Sequence, residues 1–388
     1  MFDSQKVGTS YHHDGRDYDV AKSEAARWFT QKHEKQIEAG RAKAAAVIER
    51  VQTGVPQDSI VRADKMKFVA NGNLVLQSGD SKWGIHKHAL NQVCSRADIP
   101  SHFAKKMLKP DKGEKTVPQW RRDLLAYNLN EIYGHNVDDA KYLVRAIGGE
   151  VRGFLSDSYR RLDSRPLVEA FVSAIQEFHA VPLDGTVSDT RVALKAVLPW
   201  VFEPIPGEVL TLGLHWQNSD FGAGKHCIRF VMNRVGCTNK AISEDLLGQV
   251  HLGSKLSEDF QFSQETYAKD LAASVSALRD IVRGHLKPEK ISGVMDAIRR
   301  ANEREVTWGQ FAEKFKGILS KAEVMKAEDA FNGDDVEMLP AGKSAWRMSN
   351  ALSWVANGIS DPDKKLEVER AAGRVIDMEM APLVKAAA

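Results

Sequence analysis

RVALKAVLPW (191–200), EVLTLGLHWQ (208–217) and KHCIRFVMNRVGC (225–237) each alternate apolar and polar residues with period two. That is the period of a strand, whose successive side chains point to opposite faces. The joining segments PIPGE (204–208) and NSDFGAG (218–224) are rich in the Gly, Pro, Asn and Asp that favour turns. The three runs are therefore expected to pair as one antiparallel meander. One face then carries Val192, Leu194 and Ala196, Leu210, Leu212, Leu214 and Trp216, and Ile228, Phe230 and Met232. The other carries Arg191, Lys195, His215, Gln217, Lys225 and Arg229, with no carboxylate among these strand positions.

Working outward, EVRGFLSDSYRRLD (150–163) reads as a strand, a turn and an extended piece, and RPLVEAFVSAIQEF (165–178) repeats its apolar residues at helical spacing. Asp19 to about Gln52 reads as a helix rich in Ala, Glu, Lys and Arg, with Gly40 as a possible break. KMKFVA and NLVLQS flank the turn pair Asn71-Gly72 and predict a small hairpin over 61–79. His88 to Met107 reads as two short helices parted at Ile99-Pro100, and Gln119 to Tyr133 as another. Downstream, 263–326 is helical in pattern, FNGDDVEMLPAGK (331–343) reads as an exposed acidic linker, and 344–358 and 364–378 form a last helical pair.

The fold class expected is α+β: a central antiparallel β-meander with packed helices and helical N- and C-terminal regions. Its parts are a disordered leader (1–18) that carries no core, a helical region with the hairpin (19–140), an α+β core with the basic sheet face (141–260), and a helical C-terminal region (261–388).

Of 388 residues, 43% are hydrophobic and 27% charged, the balance of a globular chain. Lys and Arg total 54 against 52 acidic residues, so the net charge of +2 exerts no global pull on nucleic acid or membrane, and any basic site must be local. Cys94, Cys227 and Cys237 are widely spaced and odd in number, which suits reduced thiols in a cytoplasm rather than a disulfide framework. No stretch approaches the ~20 apolar residues that a membrane helix requires. The expectation is a soluble cytoplasmic protein without membrane contact.

A basic strand face can follow a phosphate backbone, with Arg160 and Arg161 in the preceding turn extending it and Tyr159 and His215 offering rings to bases. The bland alternative is that a half-exposed sheet carries polar residues outside merely for solubility. Asn218, Ser219 and the glycines of the NSDFGAG loop suit either an anion-binding nest or a plain hairpin loop. His215, His226, Cys227, Cys237 and His251 match no zinc spacing, and nothing fixes a base or oxyanion hole for Cys–His catalysis. The Ser-Asp pairs at 156–157 and 219–220 and Asp163 read as turn caps before acid–base or metal chemistry. Trp216 reads as core. No catalytic motif, cofactor or metal is called for.

Four segments, GGEVRGFLSDSYRRLDS (148–164), LHWQNSDFGAGKHCIRFVMNRVGCTNKA (214–241), HLGSKL (251–256) and SAWRMSNALSWVANG (344–358), resemble those of the phage/plasmid-like proteins known as domain of unknown function 932. HKHALNQVCSRADIPSHFAKKML (86–108) is similar to a helical segment that precedes the core of such proteins. The chain departs from the family pattern at Cys237-Thr238-Asn239-Lys240, where Asn-Gly is usual. The resemblance implies a mobile element's replication and recombination context in a bacterial host cell. The order of elements also resembles, at the level of fold alone, single-strand annealing proteins of the RecT and Redβ type.

Three readings follow. The first is a DNA-binding protein that holds single-stranded DNA against the sheet face, acting in strand annealing, replication or DNA protection. Its partners would be further copies in a homo-oligomer and host replication or single-strand-binding proteins. The residues assigned to it are Tyr159, Arg160, Arg161, Arg191, Lys195, His215, Gln217, Asn218, Ser219, Lys225 and Arg229. The second is a protein-binding factor that inhibits or redirects a host enzyme or defence system without DNA contact. The third is a metal-dependent DNA-processing enzyme built on Asp157, Asp163 and Asp220.

Overall fold

The structure, a computed structural model, describes residues 11–13, 16–135, 140–235, 240–249, 263–312, 315, 317–333 and 339–385. Cys237, His251 and the 251–256 segment lie outside the described residues. In chain order the elements are β1 (Tyr11–His13), β2 (Arg16–Tyr18), α1 (Glu24–Thr53), β3 (Gln57–Arg62), β4 (Lys67–Asn71), β5 (Asn73–Ser78), β6 (Ser81–Ile85), α2 (Lys87–Arg96), α3 (Ser101–Met107), α4 (Gln119–Gly134), β7 (Lys141–Ile147) and β8 (Glu150–Ser156). Then come α5 (Ser164–Gln176), β9 (Val181–Val187), β10 (Val192–Val197), β11 (Phe202–Ile205), β12 (Glu208–Asn218), β13 (His226–Arg234) and β14 (Lys240–Gln249). The remaining helices are α6 (Gln264–His285), α7 (Pro288–Glu303), α8 (Gly309–Ala312), α9 (Lys321–Asn332), α10 (Ala345–Asn357) and α11 (Pro362–Lys385).

The protein is α+β, with two six-stranded, largely antiparallel sheets and a two-stranded ribbon, β1-β2, among the described residues. The first runs β3-β7-β8-β6-β5-β4, and its β4–β5 hairpin is the one the Asn71-Gly72 pair predicts. One face packs Leu74, Leu76, Val144, Val151 and Phe154 against α2, α3 and α4. The second runs β14-β13-β12-β10-β9, with β11 added on β12. Its centre, β10-β12-β13, is the expected meander. Leu194, Leu212, Leu214, Trp216, Ile228, Phe230 and Met232 join Phe171 of α5, Leu278 of α6, Ile298 of α7 and Leu352 of α10 in the largest apolar cluster. Trp216 is core, as its position on the apolar face requires, and its indole donates to His226 Nε2 at 3.1 Å.

Two expectations are corrected. Residues 1–10, 14 and 15 of the expected leader lie outside the described residues, but its end carries core: β1 pairs with β2, and Tyr18 is buried with its hydroxyl donating to the Leu286 carbonyl at 2.6 Å. Of the 331–343 segment, 334–338 with its acidic residues lie outside the described residues and 341–343 are exposed; the buried Arg347 guanidinium donates to the carbonyls of Phe331 (2.8 Å), Pro340 (2.5 Å) and Gly333 on either side. Gly40 does not break α1, which runs unbroken for 30 residues. It is the point where α1 seats on β9, since a Cβ there would collide with the Leu183 carbonyl oxygen.

Two effects oppose one another at that position. Alanine favours a helix interior over glycine by about 1 kcal/mol, while forcing a methyl into a packed backbone contact costs about 1–3 kcal/mol or more. Gly40→Ala is therefore expected to lower the midpoint of urea unfolding; a raised midpoint would mean that α1 does not seat on β9 in this way.

Candidate functional site

The register of the second sheet sets Lys195 opposite His215 and His215 opposite Arg229, so the polar residues do share a face. That face is not an open platform. His215 is 2% exposed and Arg229 3%. Two elements outside the expected meander adjoin it. At one edge, β9 sets Asp184 opposite Lys195. From the other side, α11 crosses β14 so closely that a Cβ on Gly373 would collide with the Ile242 carbonyl oxygen. From α11 the buried Glu369 reaches across the face, and its Oε2 lies 3.2 Å from Lys195 Nζ.

The turn residues are likewise engaged within the protein. Arg160 is buried and grips the carboxylate of Asp270 and, at 2.9 Å, the hydroxyl of Ser274, which fastens the turn to α6. Arg161 lies 3.5 Å from Asp58 and 5.3 Å above the Tyr267 ring. Tyr159 packs with Leu143 and Leu155, and burial pushes its phenol pKa up. These three are corrections to the expected contact surface. Their chemistry is already spent on holding elements together.

The NSDFGAG loop is a plug between the two sheets rather than an anion nest. Phe221 is buried against Gly153 of β8, and its carbonyl accepts from His88 Nε2 and Gln92 Nε2, both at 3.0 Å. Ser219 Oγ accepts from the Ala223 N–H at 2.9 Å and donates to the Thr190 carbonyl at 2.7 Å, the turn-capping role expected of it. Asn218 Nδ2 donates to the Leu162 carbonyl at 2.8 Å. Asn218 and Ser219, both buried, are thus structural.

Beneath the plug lies Arg145 of β7, whose guanidinium donates to Asp58 Oδ1 (2.7 Å), Asp163 Oδ1 (2.6 Å) and the Asp220 carbonyl (2.8 Å). Asp220 Oδ1 in turn accepts from the N–H and Oγ of Ser164, both at 2.7 Å, at the start of α5. As a residue Asp220 is only partly buried, but its carboxyl is enclosed, and that desolvation pushes its pKa up to about 6 against the opposing pull of Arg145. Asp163 is therefore a counter-charge to Arg145, and Asp220 caps the start of α5. Among the described residues no group of three or more His, Cys, Asp or Glu side chains is placed to hold a metal ion.

What remains of the polar face opens into a cleft of about 910 Å³. Its floor is the sheet, with Asp184, Lys195, His215 and Gln217; the 188–191 turn adds Asp189 and Arg191. One wall is α2 with α3 and the residue just beyond, supplying His86, Lys87, Lys105 and Lys109. The opposite wall is the start of α11, with Lys365 and Glu369. Each carboxylate here has its own cationic or imidazole partner: Glu369 meets Lys195, Asp184 meets Lys43 at 3.4 Å, and Asp189 meets His86 at 3.3 Å. His86 Nδ1 accepts from the His88 N–H, so its Nε2 is the nitrogen that donates to Asp189. Lys87, Lys105, Lys109 and Lys365 line the same space and form no ion pair among the described residues.

Of the positions that sequence singles out, Arg191, Lys195, His215 and Gln217 come together in this cleft; Lys225 is exposed outside its lining, and Arg229 is buried. The lysines of the α2–α3 wall escaped attention, although HKHALNQVCSRADIPSHFAKKMLK carries Lys87, Lys105 and Lys109 on a helical pair that had no assigned role. Comparison with protein-family models, with curated proteins and with solved structures finds no match.

The Asp220 carboxyl gives a pH test. In the folded protein it holds a proton up to about pH 6, whereas the unfolded chain releases it near 3.8. The native state thus binds the extra proton between these values, and this group's contribution to stability rises as pH falls from 7 toward 4. Asp220→Asn keeps an acceptor for Ser164 but cannot titrate. Relative to this variant, the unmodified protein is expected to gain roughly 1 kcal/mol in urea-unfolding free energy per pH unit across pH 6 to 4; a constant difference would show that the carboxyl is not raised.

Proposed function

We propose that the protein binds single-stranded nucleic acid by drawing the phosphate backbone into the cleft along the α2–α3 wall. The observation that supports this most directly is the charge arrangement. Of the three carboxylates lining the cleft, Glu369 and Asp184 are paired with lysines and Asp189 accepts from the His86 ring, while four further lysines from two separate parts of the chain converge on the same space. A concave, positively charged surface concentrates polyanions and speeds their encounter. Its volume falls within the range of roughly 300–1,000 Å³ typical of ligand pockets, which suits a few unpaired nucleotides rather than a duplex.

In this reading Arg191 and Gln217 complete the polar lining, and no cofactor takes part. The resemblance to phage/plasmid-like proteins gives the setting: strand annealing, replication or protection of DNA in the cytoplasm of a bacterial host, with the chain acting as a homo-oligomer and beside host replication or single-strand-binding proteins. The lysine-lined cleft favours DNA contact over inhibition of a host protein, because a solvated surface gains nothing from gathering like charges into one concavity, where they repel.

Binding to a labelled oligo(dT) across a salt series tests the proposal. Counterion release from single strands gives a log–log slope of about −0.7 per neutralised phosphate, so four lysines predict a slope near −3. Lys105→Glu with Lys109→Glu is expected to flatten that slope and weaken binding at least tenfold, with unchanged thermal unfolding because both side chains are exposed. Absence of binding by the unmodified protein at low salt would overturn the proposal. Arg229→Glu is no test of it, since a buried reversal would unfold the sheet.

A further inference from the structure

We infer that the outward face of α4 is a base-stacking platform on which a strand leaving the cleft lays its nucleobases, an inference that rests on the cleft reading above. The buried stripe of α4 is Leu125, Ala126, Leu129 and Tyr133. Directly opposite, at spacings of four and three residues, stand Trp120 (59% exposed), Leu124 and Tyr127 (61% exposed). A helix on a globular surface normally turns charged and polar residues outward. Single exposed apolar residues need no explanation, but a contiguous stripe of them marks an interaction site.

The position of the stripe points to its occupant. Arg121 donates to the Lys109 carbonyl at 3.4 Å and its guanidinium lies 5.5 Å from the centre of the Trp120 ring, so the stripe begins one residue contact away from the cleft lining. The connecting stretch 105–122 is strongly basic: Lys105, Lys106, Lys109, Lys112, Lys115, Arg121 and Arg122 against Asp111 and Glu114. A docking face for an apolar protein helix has no need of that charge. A single strand has need of both parts, since non-specific binding pairs a basic track for the backbone with aromatic side chains on which successive bases stack. Tyr159 and His215, buried elsewhere, are replaced in this role by Trp120 and Tyr127.

The test uses the full chain, oligo(dT) and the same oligonucleotide carrying 5-iododeoxyuridine. Ultraviolet crosslinking followed by peptide mapping should place the adducts at Trp120 and Tyr127. Trp120→Ala and Tyr127→Ala should each weaken oligo(dT) binding roughly tenfold, the scale of one lost base–aromatic stack. The salt slope should stay that of the unmodified protein, because no phosphate contact is removed, and both side chains are exposed enough for the variants to unfold at the unmodified temperature. If a variant carrying both Trp120→Ala and Tyr127→Ala binds with unchanged affinity and no adduct maps to α4, while the Lys105 and Lys109 reversals still weaken binding at least tenfold, the stacking inference fails and the cleft stands. If the unmodified protein does not bind oligo(dT), both fall. Salt-insensitive self-association that is lost in Trp120→Ala, with DNA affinity untouched, would instead assign the stripe to a second copy and overturn the inference.

Discussion

The buried guanidinium of Arg145 is the point where the two sheets are made to agree on a position. It belongs to the first sheet, yet it is held by Asp163 at the start of α5 and by the Asp220 carbonyl in the loop leaving β12 of the second. A guanidinium offers five donors in a rigid fork, so satisfying it fixes direction as well as distance. Removing one partner from such a buried pair typically costs about 3–5 kcal/mol, because a charge is left without compensation. The arrangement thus stabilises one relative placement of the sheets more than it stabilises either sheet.

The loop 218–224 carries that placement to the cleft. Asp220 caps α5 while Phe221 enters the space beside Gly153, and the Phe221 carbonyl takes both His88 and Gln92 from α2. Burial lowers the pKa of His88, which keeps its ring a neutral donor to that carbonyl near neutral pH. One wall of the cleft is therefore bonded to the loop that leaves its floor. The distance between Lys87 and Lys195 is a property of this junction and not of either sheet alone.

Period-two alternation discloses which residues share a face, and here it did so for β10, β12 and β13 with the correct partners. It says nothing about what lies over a face. His215 and Arg229 are buried on a face that α11, more than a hundred residues further along the chain, reaches across, and the alternation of a strand carries no record of so distant a contact. Among the strands that escaped the reading are β9 and β14, the edge strands of this sheet. VPLDGTV holds Pro182 and Gly185 and KAISEDLLGQ holds Gly248, residues that argue against a central strand and are tolerated at an edge. Tyr18 was missed for a related reason, since a leader without periodicity can still deliver one aromatic ring to the core.

The two walls of the cleft are not electrostatically equal. On α11, Glu369 keeps one buried oxygen without a hydrogen-bond partner even though the other meets Lys195. An incoming phosphate would be repelled by that oxygen, and in a partly dehydrated cleft the repulsion is felt more strongly than it would be in water. The α2–α3 wall presents Lys87, Lys105 and Lys109 with no carboxylate among its own lining residues. On the proposed reading a polyanion would have its lower-energy track along that wall, toward Lys109. On that reading the track would end where the Lys109 carbonyl meets Arg121, at the beginning of α4, and the burial of Glu369 on one side of the cleft would bias the direction in which a strand leaves the other.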